Sequence, residues 1–418
     1  MSEKYRLVRV GDLCISISGL WTGKKAPFEK ATVIRNTNFT KDCKLDLSNV
    51  AILDVETRQL QTRKLIAGDL IVEKSGGGPN QPVGRVVYFN EPEGVYSLSN
   101  FTSALRLKDS SEALPRYLQH FLYYQYVSGV TETMQSNSTG IRNLNIHQFL
   151  DIKVPLPSLD EQRKIVENLD SAFTEIDLLE VNLGLGDEKT NQLLQSLLSS
   201  AFSTSADEND LSSNSLDKTN ATKLVPLGDV CTIINGGTPD TKNSKFWDGK
   251  HAWITPAEMG KLKSPYLASS KRTLTDEGLS NSSAQLVPKY SVIMSSRAPI
   301  GHLVINEIPM ASNQGCKGMI PNKNLNHKYL YYFLYANKQY LNELGSGTTF
   351  AEISGSKLKT VLIPLPSLEK QSDVVNKLDN AFTEIESLKA QIRIEKDYAF
   401  ALRQSLLSSA FTREEAVA

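Results

Sequence analysis

Five histidines and four cysteines are the side chains most able to hold a metal or act as nucleophiles in this chain, and their spacing supports neither role. Cys14, Cys43, Cys231 and Cys316 stand far apart and match no paired zinc or redox pattern, so they read as free thiols in or near cores. His120, His147 and His302 make no metal-ligand pairing. Pro239-Asp240 opens a nuclease-like pair, but no acidic-x-Lys follows it at a useful spacing, and Gly-Gly-Thr-Pro-Asp reads better as a turn. No glycine-rich cofactor loop joins a strand pattern to a helix pattern, and no Walker P-loop is present. Ser75–Asn80 (SGGGPN) could bring backbone amides to a phosphate, yet a glycine-rich hairpin loop explains it almost as well. The aromatic runs YLQHFLYYQY from Tyr117 and YLYYFLYANKQY from Tyr329 have the spacing of amphipathic helix core rather than of a base-stacking platform. The residues fit recognition, not bond making, and any chemistry must sit in partners.

Charge says what could be recognised. The 46 basic and 46 acidic residues cancel overall, but not locally. Residues 1–150 carry 18 basic and 14 acidic side chains, and residues 211–360 carry 17 and 10. Residues 151–210 carry 4 and 13, and residues 361–418 carry 7 and 9. Two basic regions thus alternate with two acidic ones. A basic face is the footprint of a phosphate backbone, whereas an acidic segment stays off DNA or faces a basic protein.

The acidic segments are copies of each other. At a fixed offset of 209, residues 154–202 and 363–411 share 24 identities in 49 positions without a gap, from PLPSL to QSLLSSAF. A loop would have accepted insertions cheaply, so the distance along this segment matters. Pro-x-Pro forbids helix upstream, Ser158 with Glu161 forms a capping box, and Ser367 can cap although Lys370 cannot complete its box. Apolar residues then recur in heptads. The second copy gives Leu378, Ile385, Ile392, Ala399 and Leu406, with Ala381, Leu388 and Leu402 between them. The first gives Leu169, Ala172, Ile176, Leu179 and Leu183, then Leu193 and Leu197, with Gly184 and Gly186 placed to kink or end the helix. About 45 helical residues make a rod of roughly 65 Å. Two such one-sided rods predict an antiparallel intramolecular coiled coil.

The basic regions repeat more faintly. LVRVGDL at Leu7 parallels LVPLGDV at Leu224, and Gly84 aligns with Gly301 at an offset of 217. Short β-branched runs between Gly, Pro and Asn turns fill the first three-quarters of each, and a helix ends it. The sequence therefore predicts an α+β protein. Two similar mixed domains at 1–153 and 223–362 are separated by helical segments at 154–202 and 363–418, with a polar linker at 203–222. No apolar run of about 18 residues exists and the start has no signal core, so a cytoplasmic protein, nucleoid-associated and with no membrane partner, is expected.

From Ile234 to Gln371 the order INGGTPDTKNSKFWDG, AWITPAEM, SSRAPIG, SNQGC, YLYYFLY and IPLPSLEKQ resembles the target-recognition-domain pattern of type I restriction–modification specificity (S, HsdS) subunits. The helix that follows resembles that family's conserved spacer. The likeness covers the chain twice over, except that residues 14–75 show no GGTP or WIT equivalent. It implies a noncatalytic subunit with two recognition domains, each reading half of a split double-stranded DNA site. It further implies two methyltransferase (M) subunits docked on the helices, and restriction-motor (R) subunits in the full complex. Consistent with this, no Asn-Pro-Pro-Tyr type sequence of an adenine methyltransferase occurs. S-adenosylmethionine, ATP and Mg would belong to the partners and no cofactor to this chain. A stand-alone DNA-binding regulator and a coiled-coil adaptor without DNA stay open as alternatives.

Phosphate contacts come from loop Lys and Arg, and base readout from Arg, Lys, Asn, Gln, Ser and Thr. In the second domain these are Thr238, Thr241, Lys242 and Asn243, then Ser295, Ser296 and Arg297, then Asn313, Gln314 and Lys317. The aligned stretches of the first give Lys74, Ser75, Asn80, Gln81 and Asn100, with Lys24, Lys25, Arg35, Asn36 and Arg142 as loop candidates.

Overall fold

A computed structural model describes residues 5–21, 23, 25–78, 81–138, 140–203, 222–262, 264–297, 299–345 and 352–412. Lys24, Asn80 and linker residues 204–221 lie outside them. The chain divides into two compact units, Met1–Gly184 with Arg393–Ala418, and Leu185–Ile392. Each unit therefore holds one head and part of each rod.

In the first head, strand Arg6–Arg9 pairs antiparallel with Lys153–Leu156, the strand that leads into the first rod. A four-stranded antiparallel sheet runs Cys14–Ser18, Thr102–Leu107, Leu70–Glu73 and Val86–Tyr88. A three-stranded sheet runs Ala51–Glu56, Phe28–Ile34 and Tyr96–Leu98, its second pair parallel. The second head repeats this plan. Lys223–Pro226 pairs with Leu362–Leu365, and the main sheet runs Cys231–Asn235, Cys316–Pro321, Val292–Ser295 and Leu303–Asn306, edged by Tyr266–Leu267. Its small sheet, Arg272–Leu274, Trp247–Ile254 and Met310–Ser312, again has a parallel second pair. Central strands Leu70–Glu73 and Val292–Ser295 are buried at every residue, which is why they read as unbroken apolar runs and not as alternation. Buried Glu73 is tolerated because Arg85 binds both its oxygens at 2.8 Å.

The repeated segments are helices Leu159–Phe202 and Leu368–Phe411, 44 residues each. Ser158 and Glu161 cap the first reciprocally, with Ser158 N–H to Glu161 Oε2 at 3.0 Å. In the second, Ser367 Oγ accepts from Lys370 N–H at 3.4 Å with nothing returned. The helix runs unbroken through Gly184 and Gly186. Each glycine costs about 1 kcal/mol there, but a Cβ on Gly186 would stand 3.6 Å from Ile392 Cδ1, so the helices pass close at that point.

Within the first unit, Leu169, Phe173 and Ile176 share a core with Ala399, Leu407 and Phe411. Within the second, Leu194 and Leu198 share one with Val375, Leu378 and Ile385. The start of one helix thus packs with the end of the other in both units. Three seam assignments are corrected. Leu179 (38% exposed), Leu388 (46%) and Leu193 (52%) face outward. In the middle of the second helix only one position per heptad is buried, at Leu378, Ile385, Ile392 and Ala399, and the intervening heptad positions are half-buried or exposed. Near the ends the phase slips by one residue. Leu194, Leu198 and Leu407 take the core, leaving Leu197, Leu402 and Leu406 partly buried beside it. Ala172, Leu183 and Ala381 are half-buried. Arg403 occupies a seam position, 1% exposed, with Nη2 on Asp177 at 2.6 Å and its guanidinium over Phe173.

One glutamine explains the repeated PLPSLxxQ. Gln371 is fully buried, accepts from Asn326 N–H at 2.8 Å, and donates to the carbonyls of Asn324 and Pro366 at 2.9 Å each. Gln162 does the same with Leu114 N–H, Glu112 O and Pro157 O. Each thereby ties the start of a rod to the loop before its head's aromatic helix, Pro115–Val127 or His327–Ala336. Asp170, held by His120 and Arg116, and Asp379, held by Tyr332 and Lys328, repeat the tie two turns along. At the far end of each rod, Phe411 packs on Tyr117, Phe121 and Tyr124, and Phe202 on Tyr329 and Phe333. The retained QSLLSSAF ending is therefore a plug for an aromatic helix.

Candidate DNA interface

The first strand of each main sheet is followed by a glycine that the fold cannot replace. A Cβ on Gly19 would overlap the carbonyl of Ser99, and one on Gly236 the carbonyl of Asn313. This close approach sets the residue two positions later at the matching place in each head, Trp21 on a cleft that Ser99 and Asn100 also line, and Thr238 against Asn313, the counterpart of Ser99. It also supplies the correspondence that short motifs hide: Cys14-x4-Gly19 is Cys231-x4-Gly236 at the offset of 217.

In the second head the result is a polar cluster. Asn313 Nδ2 donates to Thr238 Oγ1 and to Gln314 Oε1, both at 2.9 Å, and Thr238 Oγ1 donates to the same Gln314 oxygen. Gly315 N–H holds Asn313 Oδ1 at 2.8 Å, so the amide orientation is fixed by the backbone. Arg297 joins the neighbouring turn, where Ser296 N–H bonds Gly315 O and Arg297 Nε meets Glu352 at 2.9 Å. Lys317 reaches Glu352 at 3.5 Å with a side chain only 7% exposed. Gln314 and Arg297 are exposed, and Thr238 and Asn313 half-buried. This set can present amide donors and acceptors and one guanidinium to a groove. Ser295 and Ser296 do not belong to its surface. Both are fully buried, and Ser295 Oγ donates to Pro299 O and accepts from His302 N–H, shaping the turn instead. Thr241, Lys242 and Asn243 form a separate turn that Asp240 closes on Lys242 N–H at 3.0 Å.

The first head is built differently at the same place. Trp21 is 63% exposed and Arg63 lies over its ring at 4.5 Å. It edges a cleft of about 490 Å³ lined also by Arg35, Ser99 and Asn100. A second cluster lies alongside on the small sheet Ser75–Gly76, Ile141–Leu144 and Gln135–Ser138. There Asn36 Nδ2 donates to Ser75 O at 3.3 Å, and Ser75 Oγ to Asn143 at 2.6 Å. Arg142 meets Glu132 at 2.8 Å, and burial lowers the Lys74 pKa. Lys25, whose N–H bonds Glu56, and Gln81 are exposed and stand outside both clusters. Sequence reasoning missed Trp21. The one signal for it was the register of Cys14 and Gly19, which a search for GGTP does not use.

Among the described residues no group of three or more His, Cys, Asp or Glu could hold a metal, and no helix is long and apolar enough to cross a membrane.

Known proteins of this kind share the plan. The chain is 35% identical over 179 residues to the MjaIX specificity subunit of Methanocaldococcus jannaschii, a stretch spanning 42% of this chain and 41% of that one. It is 25% identical over 327 residues to the EcoR124I/EcoR124II specificity subunit of Escherichia coli, covering 70% and 75%. A chain solved in work on assembly and conformational transition of the type I R-M system matches with a TM-score of 0.77 at 20% identity over 98% of both chains. The HsdS subunit of Thermoanaerobacter tengcongensis matches with a TM-score of 0.58 at 19% identity. The pattern of the type I restriction modification DNA specificity domain fits residues 2–183 and again 221–396. With most of its length covered by two successive matches to this domain, and the same head-and-helix plan built twice, this chain belongs to the type I restriction modification DNA specificity family.

Proposed function

We propose that the chain reads a bipartite, asymmetric double-stranded DNA site, one half-site per head, and that the matched helices set the spacer between the halves. The carrying observation is that one fold is built twice with different side chains at one topological position: Trp21 on the cleft that Asn100 also lines in one head, Thr238 with Asn313 and Gln314 in the other. A duplicated scaffold with divergent reading groups suits two unlike half-sites. The acidic helices dock two methyltransferase subunits, and restriction subunits join in the full complex. Adenine methylation and ATP-dependent cleavage then reside in those partners, with S-adenosylmethionine, ATP and Mg bound there and nothing catalytic here. The protein works in the cytoplasm, on the nucleoid. The test is to replace residues 224–360 with the matching region of a relative and map methylated adenines in a host carrying the modification partner. One half-site changes if the reading holds; change in both, or in neither, contradicts it.

A further inference from the structure

The two heads differ most in where they leave their apolar side chains. In the second, Trp247 and Trp253 of the small sheet are buried, and the guanidinium of Arg272 lies over both rings, 3.5 Å from the centre of the first. In the first, Ala31, Val33, Val55 and Leu60 of the small sheet and its helix form a core with Leu20 packed against it. Leu53 lies on the same face of its strand as Val55, two residues on, but is exposed, and so is Trp21, next to Leu20 in the chain. Both line the cleft that Val33, Arg35 and Asn100 also line. Trp21 is held there. Its N–H donates to Gln59 Oε1 and its carbonyl accepts from Gln59 Nε2, 3.2 Å each, with Gln59 itself buried and Arg63 against the ring. An exposed apolar surface fixed in advance loses little entropy when something covers it.

Charge says what covers it. Residues 20–64, which supply most of this cleft, carry 9 basic and 5 acidic side chains, whereas the rest of residues 1–150 carry 9 and 9. The whole basic excess of the head therefore surrounds its apolar cleft. A partner that is anionic outside and apolar at one point within fits that arrangement, and a DNA major groove is such a surface. Among the groups that base edges display there, the apolar one is the C5 methyl of thymine. Asn100, exposed on the same cleft, carries the amide that suits the adenine of the same pair.

We infer that Trp21 and Leu53 are specificity-determining residues of the first head, and that they pack on the C5 methyl of a thymine in the half-site it reads. This rests on the reading that each head reads one half-site, and adds which chemical feature of the base this head selects.

The test uses the full chain in complex with the methyltransferase subunits of its own system, and a duplex carrying its mapped site. The half-site that survives replacement of residues 224–360 belongs to the first head. Each thymine of that half-site is replaced in turn by deoxyuridine, which removes the methyl and keeps the pairing, and affinity is read by fluorescence anisotropy. One position should lose about fourfold, the worth of one buried methyl. In Trp21→Ala the thymine and uracil duplexes should bind alike at that position, and in Leu53→Ala the difference should narrow. Far-ultraviolet circular dichroism and melting show that the variants are folded, and the wild-type series decides the matter even if one is not. A half-site without thymine on either strand, a wild type indifferent to every uracil, or a loss undiminished in folded Trp21→Ala overturns the inference and leaves the two-half-site reading intact. Replacement of residues 224–360 that changes both half-sites, or neither, overturns that reading as well.

Discussion

Replacing Gln371 by Ala removes three hydrogen bonds at once and leaves Asn326 N–H and the carbonyls of Asn324 and Pro366 without a partner. The side chain is fully buried, so water does not replace it without disruption. An unsatisfied buried group costs about 1–3 kcal/mol, and with partial relaxation the three together come to roughly 3–4 kcal/mol. For a unit of this size each kcal/mol moves the melting temperature by about 2–4 °C, which puts the change near 10 °C. Differential scanning calorimetry measures it, with exposed Lys370→Ala as control. Hydrogen–deuterium exchange then localises it, since the Asn326 amide should lose protection while the first head keeps its own. A shift below about 2 °C, or unchanged exchange at Asn326, would refute the claim that this glutamine fastens rod to head.

Two further outcomes follow from the geometry. Gly236→Ala should disorder the Thr238–Asn313 contact and abolish reading of one half-site while the other is still recognised, measured by methylation mapping. Acid should weaken the first unit through His120. Burial pushes its pKa below the ordinary 6.5, outweighing the hydrogen bond to Asp170, and Arg116 adds to the depression. The unfolded chain then takes up a proton that the folded one refuses, so this stability is complete above about pH 6.5 and falls below it, by at most about 1.4 kcal/mol per pH unit. Melting between pH 7.5 and 5.5 should show the loss, and His120→Gln should flatten it.

Much of the scaffold was legible because length-locked repetition and helix caps are local signals. Ser158 with Glu161 and the Pro-x-Pro stop fix the start of the first rod without tertiary information. The seam was read only in part. Leu193-Leu194, Leu197-Leu198 and Leu406-Leu407 each offer two adjacent phases, and which one is buried depends on a partner surface the pattern does not contain. Arg403 in the seam was invisible for the same reason, since its place depends on Asp177 from a segment 226 positions away. Gly184 and Gly186 suggested a break because propensity counts each against helix, but the packing of the rod as a whole overrides it, with Ile392 close by at Gly186. In the heads, residue type alone nominated Ser295 and Ser296, which the fold turns inward, and passed over Trp21, which it turns outward.

The central claim is that the paired helices are the spacer between two reading heads. Inserting seven residues at matching points in both helices preserves the heptad and adds about 10 Å, close to three base pairs. Mapping methylated adenines in a host with the modification partner should return both half-sites unchanged and a spacer about three base pairs longer. An unchanged spacer, with methylation retained, would contradict the account.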